Sequence, residues 1–476
     1  MRREPQLWLL FAALFLLNAV FFSGRLFTRD SWTMSETARA LAGFHGLALH
    51  GPSFENAMQA PNGRWYSVYG LVQPALGVPL VWLGWGVEKL LAPKTFAAIA
   101  NGQDAGIFFL PLLNALICAA IGVEFFRIMR RRIPERLALY GSMALCFSTL
   151  VLPYSRDWFV QPLAALLLLC CIDAVECLPR APMRCTFTSA TLLGLLLLNR
   201  IDGVVAWPAI IVFFLLYLIR SPLRGAQRLQ LLVLFGLVLV AFIGIELWHN
   251  HLRSGTLLFL NRRPERPFAL SPLKTLPDLL FNPHRSVLLY GPLIVLLLLR
   301  PRSWRPSPLV ALSLALAFSY LFFYCTYELY FGGVNPGPRL FLILYPLLFI
   351  PLQTQAAREW SSRAYRMVWW SLCSAGIVVN AFESSLDYTR GPSVGALIAG
   401  RLNLADSATA HLTSHSFSAV WAVRLMGTDL WWIGWPYVLL CLAAGLSLLA
   451  LFYRRVSPAS PCPSKVPTPD SHSEQS

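Results

Sequence analysis

The sequence predicts an all-α polytopic membrane protein with about twelve transmembrane helices and a long first outer loop. Of its 476 residues, 56% are hydrophobic and 13% are charged, and the mean hydropathy is +0.57. Several apolar runs approach the roughly 20 residues that an α-helix needs to cross a bilayer. Short arginine-rich loops separate these runs. A soluble domain rarely carries so little charge, which excludes a soluble fold.

The first apolar run, 6–23, reads QLWLLFAALFLLNAVFFS and follows MRRE. It lacks an A-x-A-like cleavage site, and it is longer than the apolar core of a typical signal peptide. We therefore predict an uncleaved first span whose N-terminus lies in the cytoplasm.

Basic loops define the topology of the remaining runs, because short cytoplasmic loops collect Lys and Arg. These loops are 127–136, 178–185, 220–228, 300–306 and 357–366. The outward connections are then 24–105, 154–158, 199–203, 250–286, 327–339 and 385–430. Both termini are predicted to be cytoplasmic. The loops also explain the formal net charge of +16, and with no nucleic-acid motif present we expect no nucleic-acid partner.

Segment 71–92 does not fit the simple alternation of spans. It is apolar enough to cross, but crossing would place the basic loop 127–136 outside. It also contains five residues that are poorly suited to lipid exposure: Gln73, Pro74, Pro79, Glu88 and Lys89. We predict an interfacial or re-entrant helix on the outer side, with Trp82 and Trp85 at headgroup level. A thirteenth span is the alternative.

Three regions follow from this layout. Residues 1–356 form the main transmembrane module, and 357–455 add C-terminal helices around an outer loop. The tail 456–476 is rich in Pro and Ser and is predicted to be disordered in the cytoplasm. The ten cysteines include no C-x-x-C pair, so they indicate neither a disulfide framework nor a zinc site.

Reactive side chains collect on the outer face, beginning with Asp30 just after the first span. Apolar residues at 34, 38 and 41 have helical spacing and predict a short membrane-surface helix over 31–43. Asp30 immediately precedes it. Two interpretations stay open and are compatible: an N-cap that accepts backbone N–H groups, or a reactive carboxylate.

The run from Asp30 to Arg39 resembles the first-loop motif of the GT-C glycosyltransferases, particularly the lipid A aminoarabinose transferases and protein O-mannosyltransferases. That motif has an Asp-Glu pair, a further acid, and then Ala-Arg. Asp30, Glu36, Ala38 and Arg39 match it, whereas Ser31 replaces the second acid of the pair. With that carboxylate missing, a divalent metal lacks oxygen ligands, so we predict neither a metal nor another cofactor.

Later segments are also similar to stretches of this superfamily, in order and spacing. They are 63–84, rich in Tyr and Pro; 154–169, with Gln161 where an acid is common; 194–208, with Ile201 in place of the proline of an Arg-Pro-Asp-Gly turn; 281–299; and 327–346. The resemblance covers most of 1–356 and none of 385–476. It implies a GT-C-like fold in which the first outer loop carries juxtamembrane helices.

The resemblance also implies a transferase that moves a sugar from a polyprenyl-phosphate carrier to a lipid, glycan or protein acceptor outside a bacterial plasma (inner) membrane. Asp30 would be the general base, within ~2.6–3.2 Å of the acceptor hydroxyl, and Glu36 a second catalytic acid. Cationic side chains would hold the leaving phosphate. The candidates are Arg339, Arg200, Arg262 and Arg263 for phosphate, and Tyr66, Tyr69 and Asn250 for substrate contacts.

Each cationic candidate also has a structural interpretation. Arg200 can pair with Asp202, and Arg339 can snorkel from the start of its helix. Arg262 and Arg263 can contact anionic lipid headgroups.

Other polar residues have structural interpretations too. His249 and His251 favour an interfacial polar cap over a metal site, because no companion ligands are evident. Asp157 is predicted to be an exposed turn residue. The acids within predicted spans, Glu124, Asp173 and Glu246, indicate either ion pairs or a functional cavity.

Two rival functions stay open: a lipid-linked sugar flippase or transporter, and a non-catalytic scaffold of the same architecture. Transporters often carry internal repeats with broken helices at mid-membrane, and no repeat is detectable here. The polar residues also favour one face, which supports the transferase.

Overall fold

The computed structural model describes residues 5–49, 51, 56–100, 102–258, 271–282, 285–299, 307–327, 337–386, 420–426 and 431–456. Within these ranges the regular structure is almost entirely helical. Six helical segments are long and apolar enough to cross a membrane: Ala105–Met129, Ile201–Arg220, Gly225–Ser254, Pro308–Thr326, Arg339–Glu359 and Trp432–Arg455. The all-α membrane fold is confirmed, and the number of spans stays a prediction.

The helices of the first half are α1 (Pro5–Ala19), α2 (Arg29–Ala42), α3 (Val72–Leu90), α4 (Pro93–Ile99), α5 (Ala105–Phe108), α6 (Pro111–Met129), α7 (Glu135–Phe147), α8 (Val160–Glu176), α9 (Pro182–Asn199), α10 (Trp207–Arg220) and α11 (Gly225–Ser254). Those of the second half are α12 (Pro272–Phe281), α13 (Val287–Tyr290), α14 (Val295–Leu299), α15 (Pro308–Thr326), α16 (Leu344–Glu359), α17 (Arg363–Ser385), α18 (Trp421–Met426) and α19 (Trp431–Arg455).

The first and last helices pack against each other along much of their length. Close approach is possible because α19 carries Gly445, where an added Cβ would lie 2.9 Å from Cγ of Leu17. The Tyr437 hydroxyl donates to the carbonyl of Ala19 at 2.6 Å. The C-terminal helices therefore belong to the same bundle as the N-terminal ones.

The loop that follows α1, predicted to be the first outer loop, folds over the end of this bundle. After α2 it forms an antiparallel sheet of β1 (Ala48–Leu49), β2 (Ala57–Gln59) and β3 (Trp65–Ser67), with β3 in the middle. The helices α3, α4 and α5 follow.

Helix α3 packs tightly on the protein along one side. Gly84 lies so close to α5 that an added Cβ would sit 1.8 Å from the carbonyl oxygen of Ala105. Gly77 likewise faces the Trp158 ring. On its other side α3 exposes Leu76 and Trp82. An exposed apolar side suits the interfacial placement predicted for 71–92, which stays a prediction.

Acids within the predicted spans have arginine partners. Glu124 and Asp173 both bind Arg127, which joins α6 to α8, and Arg131 bridges Asp173 and Glu176. On α11, Glu246 lies 3.4 Å from a terminal nitrogen of Arg253. Of the two interpretations left open for these acids, pairing is the one observed.

The nine cysteines within the described ranges are all free, and every one except Cys170 is buried. Most of the predicted outer loop 385–430 and nearly all of the predicted tail 456–476 lie outside the described residues.

Candidate active site

Helix α2 begins with a cap that frees the next acid for other contacts. Thr28 has extended backbone angles (φ −117°, ψ 154°), and its Oγ1 accepts from the backbone N–H of Ser31 at 3.1 Å. Thr28 is therefore the N-cap, and the interpretation of Asp30 as the cap is wrong. Asp30 is the second residue of the helix, with its carboxylate near the positive end of the helix dipole.

Ser31, which stands in place of the family's second acid, has a structural role. Its side chain is fully buried, and its Oγ lies 2.8 Å from Oγ1 of Thr28. The same oxygen donates to the carbonyl of Trp158 at 3.1 Å. Ser31 thus ties the start of α2 to the connection between α7 and α8.

The Asp30 carboxylate is held by two distant parts of the chain. Oδ2 accepts from Nη1 of Arg339 at 2.9 Å, and Oδ1 accepts from Nδ2 of Asn56 at 2.8 Å. Arg339 begins the 3₁₀ turn Arg339–Ile343 that leads into α16, 309 residues further along the chain. The Asp30 side chain is 23% exposed and that of Arg339 is 13% exposed, so the ion pair is largely shielded but still accessible from outside the protein.

The Arg339 side chain is mostly buried and contacts other parts of the protein, which favours a role within the protein over snorkelling. Its guanidinium carbon lies 5.1 Å from the centre of the Phe159 ring, a cation–π distance. Its Nε is buried and has no hydrogen-bond partner among the described residues. The pair with Asp30 leaves Arg339 with unused donor capacity next to the carboxylate.

More positive charge lies beside α2. The Phe27 ring has the guanidinium of Arg25 at 4.7 Å from its centre and that of Arg156 at 5.1 Å. Arg156 is fully buried and donates to the carbonyl of Ser384 at the end of α17. Two further arginines therefore lie close to the entry of the helix that carries Asp30.

Asp157 is fully buried, so its prediction as an exposed turn residue is wrong. The connection that carries Asp157 is covered by the segment around the start of α2. Ser23 donates to the carbonyl of Arg156 at 2.6 Å, and Ser31 donates to the carbonyl of Trp158. Asp157 Oδ1 accepts from the Trp158 backbone N–H at 2.7 Å. A second buried acid, Glu383, lies 3.4 Å from the hydroxyl of Tyr290.

The sequence led to a wrong placement of Asp157 and gave no indication of Glu383. Asp157 lies between Tyr154 and Trp158 in a segment that resembles the superfamily. This context was the signal that could have indicated a buried acid. Glu383 lies near the end of an otherwise amphipathic helix, where the sequence gives no comparable signal.

Glu36 is buried but is committed elsewhere. Its carboxylate accepts from Nη1 of Arg39 at 2.8 Å, and Arg39 also lies 3.3 Å from Asp104, the N-cap of α5. Six residues of α-helix turn its side chain about 120° away from that of Asp30. No hydrogen bond among the described residues links the two acids. Glu36 therefore orients Arg39, which links α2 to the start of α5, and the catalytic role of Glu36 stays a prediction.

Arg200 forms the pair anticipated from its sequence. Its Nε and Nη2 donate to the two oxygens of Asp202 at 2.8 and 2.5 Å, and the Tyr324 hydroxyl donates to the same carboxylate at 2.5 Å. The group lines a small pocket between α8, α9 and α15. The charges of Arg200 and Asp202 balance each other.

The three residues predicted to contact substrate lie in or against the first-loop sheet. The Tyr66 side chain is buried in it, and its hydroxyl accepts from Asn62 at 3.2 Å. Asn250 accepts two bonds from Arg253, which in turn donates to the carbonyls of Val68 and Tyr69. Their observed contacts dock the loop on α11, and substrate contact stays a prediction.

Arg262 and Arg263 lie outside the described residues. His249 is buried within α11. Within the described part of the chain, no group of three or more His, Cys, Asp and Glu side chains is arranged to hold a metal ion.

Comparisons with known proteins identify the fold. No family model matches the chain, and no curated protein matches it either. Two solved structures of ArnT from Cupriavidus metallidurans are similar. The one bound to undecaprenyl phosphate has a TM-score of 0.50 at 15% identity and covers 92% of this chain and 77% of its own. The apo structure has a TM-score of 0.52 at 14% identity and covers 94% and 72%. The predicted GT-C-like fold is confirmed.

Proposed function

We propose that this chain is a membrane glycosyltransferase, a hexosyl- or pentosyltransferase. In this proposal it moves a sugar from a polyprenyl-phosphate carrier to a lipid, glycan or protein acceptor on the outer face of a bacterial plasma membrane. One observation carries it: Asp30 and Arg339, 309 residues apart, meet at 2.9 Å. They do so in the fold of a protein whose structure contains undecaprenyl phosphate.

The geometry suits acid–base transfer at a phosphate leaving group. Asp30 accepts the proton of an acceptor hydroxyl as that oxygen attacks the anomeric carbon of the sugar. The bond between this carbon and the phosphate oxygen breaks, and the phosphate leaves with the electron pair. Arg339 donates to the phosphate and stabilises its growing charge. Its unpaired Nε gives it a further donor for this anion.

The resting ion pair has to open before the reaction. A donor phosphate offers Arg339 a competing anion, which draws the guanidinium from Oδ2 of Asp30 and leaves that oxygen for the acceptor. Asn56 still holds Oδ1, so the carboxylate keeps its orientation.

The alternatives are a flippase and a scaffold. A flippase needs available polar groups along the whole bundle, whereas at the other end of α6 and α8 the arginines and acids neutralise one another. A scaffold has no need of a solvent-accessible carboxylate–guanidinium pair assembled from remote segments. Both observations favour the transferase.

The proposal is tested in right-side-out proteoliposomes, with an undecaprenyl-phosphate sugar and its acceptor supplied only to the outer leaflet. Product detected by mass spectrometry supports a transferase with an outward site. Movement of the donor to the inner leaflet without product supports the flippase. In cells, a surface lipid or glycan that loses one sugar mass on deletion, and regains it with wild type but not with Asp30→Asn, identifies the acceptor. Recovery with Asp30→Asn favours the scaffold.

A further inference from the structure

The small pocket beside Arg200 adjoins the candidate active site. Leu340 lines it and directly follows Arg339 in the chain. Gln161 lines it as well, two residues after Phe159, whose ring faces the Arg339 guanidinium. The pocket and the ion pair therefore lie on neighbouring parts of the same turn and the same helix start.

The charged groups in this pocket are already satisfied. Asp202 accepts two bonds from Arg200 and one from Tyr324, so the group carries no net charge. Arg200 already donates twice to Asp202, whereas Arg339 donates once to Asp30 and keeps an unpartnered Nε, so a phosphate competes less readily for Arg200 than for Arg339. The pocket therefore combines an apolar lining with a charge pair that is neutral overall.

Two other residues that line the pocket each have a polar atom with no partner among the described residues: Oε1 of Gln161 and the hydroxyl of Tyr320. These side chains are 5% and 1% exposed. Buried polar atoms in native proteins are nearly always hydrogen-bonded, so a pair of unpartnered atoms around one space points to a missing partner.

The size and chemistry of the space limit that partner. Its volume is about 10 Å³, room for one water-sized group. Oε1 of Gln161 only accepts, whereas the Tyr320 hydroxyl both donates and accepts. A hydroxyl satisfies both at once, since its proton goes to Gln161 and its oxygen accepts from Tyr320. A hydrocarbon chain satisfies neither.

We propose that this pocket is a recognition subsite for one hydroxyl group of the donor sugar, with Gln161 and Tyr320 as specificity-determining residues. This inference rests on the proposed function. In the donor, the sugar is the hydroxyl-rich group joined to the phosphate, and the phosphate is assigned to Arg339 next to the pocket. Because the pocket is neutral and lies next to Arg339, it suits the sugar better than the polyprenyl chain of the carrier.

The test uses the full-length chain in nanodiscs and native mass spectrometry. The probes are synthetic undecaprenyl phosphate and the undecaprenyl-phosphate glycolipids extracted from the host membrane. We expect one glycosylated species to bind about tenfold more tightly than the bare carrier. Tyr320→Phe and Gln161→Leu should each remove most of that preference and leave the Kd for undecaprenyl phosphate unchanged.

Matched controls come from the same chain. Gln353→Leu removes another buried glutamine whose side-chain atoms lack partners in the described structure, and Tyr345→Phe removes another buried hydroxyl. Both lie away from the pocket lining and should keep the sugar preference.

Each other outcome overturns the inference. An unchanged preference in the pocket variants means that the space holds only a structural water. Equal weakening of the bare carrier, or equal effects in the controls, means a carrier site or general disturbance. If wild type binds undecaprenyl phosphate without preferring any glycosylated form, the sugar subsite is refuted while the proposed function stands. If wild type binds no undecaprenyl lipid, the proposed function is refuted, and the subsite with it.

Discussion

The substitution Asp30→Asn separates the catalytic role proposed for this residue from its structural one. The carboxylate accepts one bond from Asn56 and one from Arg339 through different oxygens. An amide of the same size has only one oxygen, so one of the two donors must face an NH₂ group. The lost bond to a charged group is worth about 1.5–3 kcal/mol, and partial exposure of the pair places the expected loss near the lower end.

The effect on turnover should be larger. Loss of a general base lowers rates by roughly 10²–10⁴, equivalent to about 2.7–5.4 kcal/mol of barrier. Because domains have unfolding free energies of roughly 5–15 kcal/mol, the variant should still fold. Unfolding in mixed detergent micelles measures the first quantity, and product formation in proteoliposomes measures the second.

The control is Asp278→Asn on α12. Asp278 also accepts from an asparagine, Asn282 at 2.7 Å, and from an arginine, Arg285 at 3.3 Å. The same chemical change there should leave turnover unaltered. If Asp30→Asn keeps more than a tenth of the wild-type rate, Asp30 is not the base. An equal fall in Asp278→Asn would assign the effect to general destabilisation.

Three further predictions concern the surroundings of this carboxylate. Arg339→Lys replaces the planar guanidinium, with its paired donors and its contact with the Phe159 ring, by a single ammonium group. The KM for the donor should therefore rise about tenfold, with little change in the KM for the acceptor. Equal changes in both KM values would contradict the phosphate-binding role proposed for Arg339. Gly84→Ala places a Cβ 1.8 Å from the carbonyl oxygen of Ala105 and should lower the unfolding free energy by about 1–3 kcal/mol. Gly86→Ala, where an added Cβ meets nothing within 4 Å, should leave stability unchanged. Similar melting temperatures for the two variants would refute the packing argument. Thr28→Ala removes the N-cap and should cost about 1 kcal/mol, while Thr28→Ser should cost little, as thermal unfolding would show.

The fold was readable from the sequence because apolar length and loop charge report directly on membrane crossing. The short outer helix was predicted over 31–43 and is observed at Arg29–Ala42, since its apolar spacing persists wherever the cap lies. The cap itself was missed. Both Thr28 and Asp30 are capping residue types, and only the backbone angles distinguish them.

The site was less accessible to sequence reasoning. Asp30 and Arg339 were each singled out and placed on the outer face, but contact across 309 residues depends on how the helices pack. Asp157 looked like a turn residue because it is polar and lies between spans. It is buried because α2 and the end of α17 cover that connection, and no local pattern encodes such cover. The pocket at Gln161 and Tyr320 likewise joins residues of α8 and α15.

The contact between α1 and α19 has a consequence for biogenesis. The Tyr437 hydroxyl and the Ala19 carbonyl that it binds are 418 residues apart. A ribosome that adds about 5–20 residues per second needs roughly 20–80 s to synthesise the chain between these two residues. Until then the face of α1 that α19 will cover, which includes the apolar Leu17, must rest against lipid or an insertion factor. A nascent chain truncated just before α19 would therefore carry Asp30, Asn56 and Arg339 and still lack the helix that packs along α1.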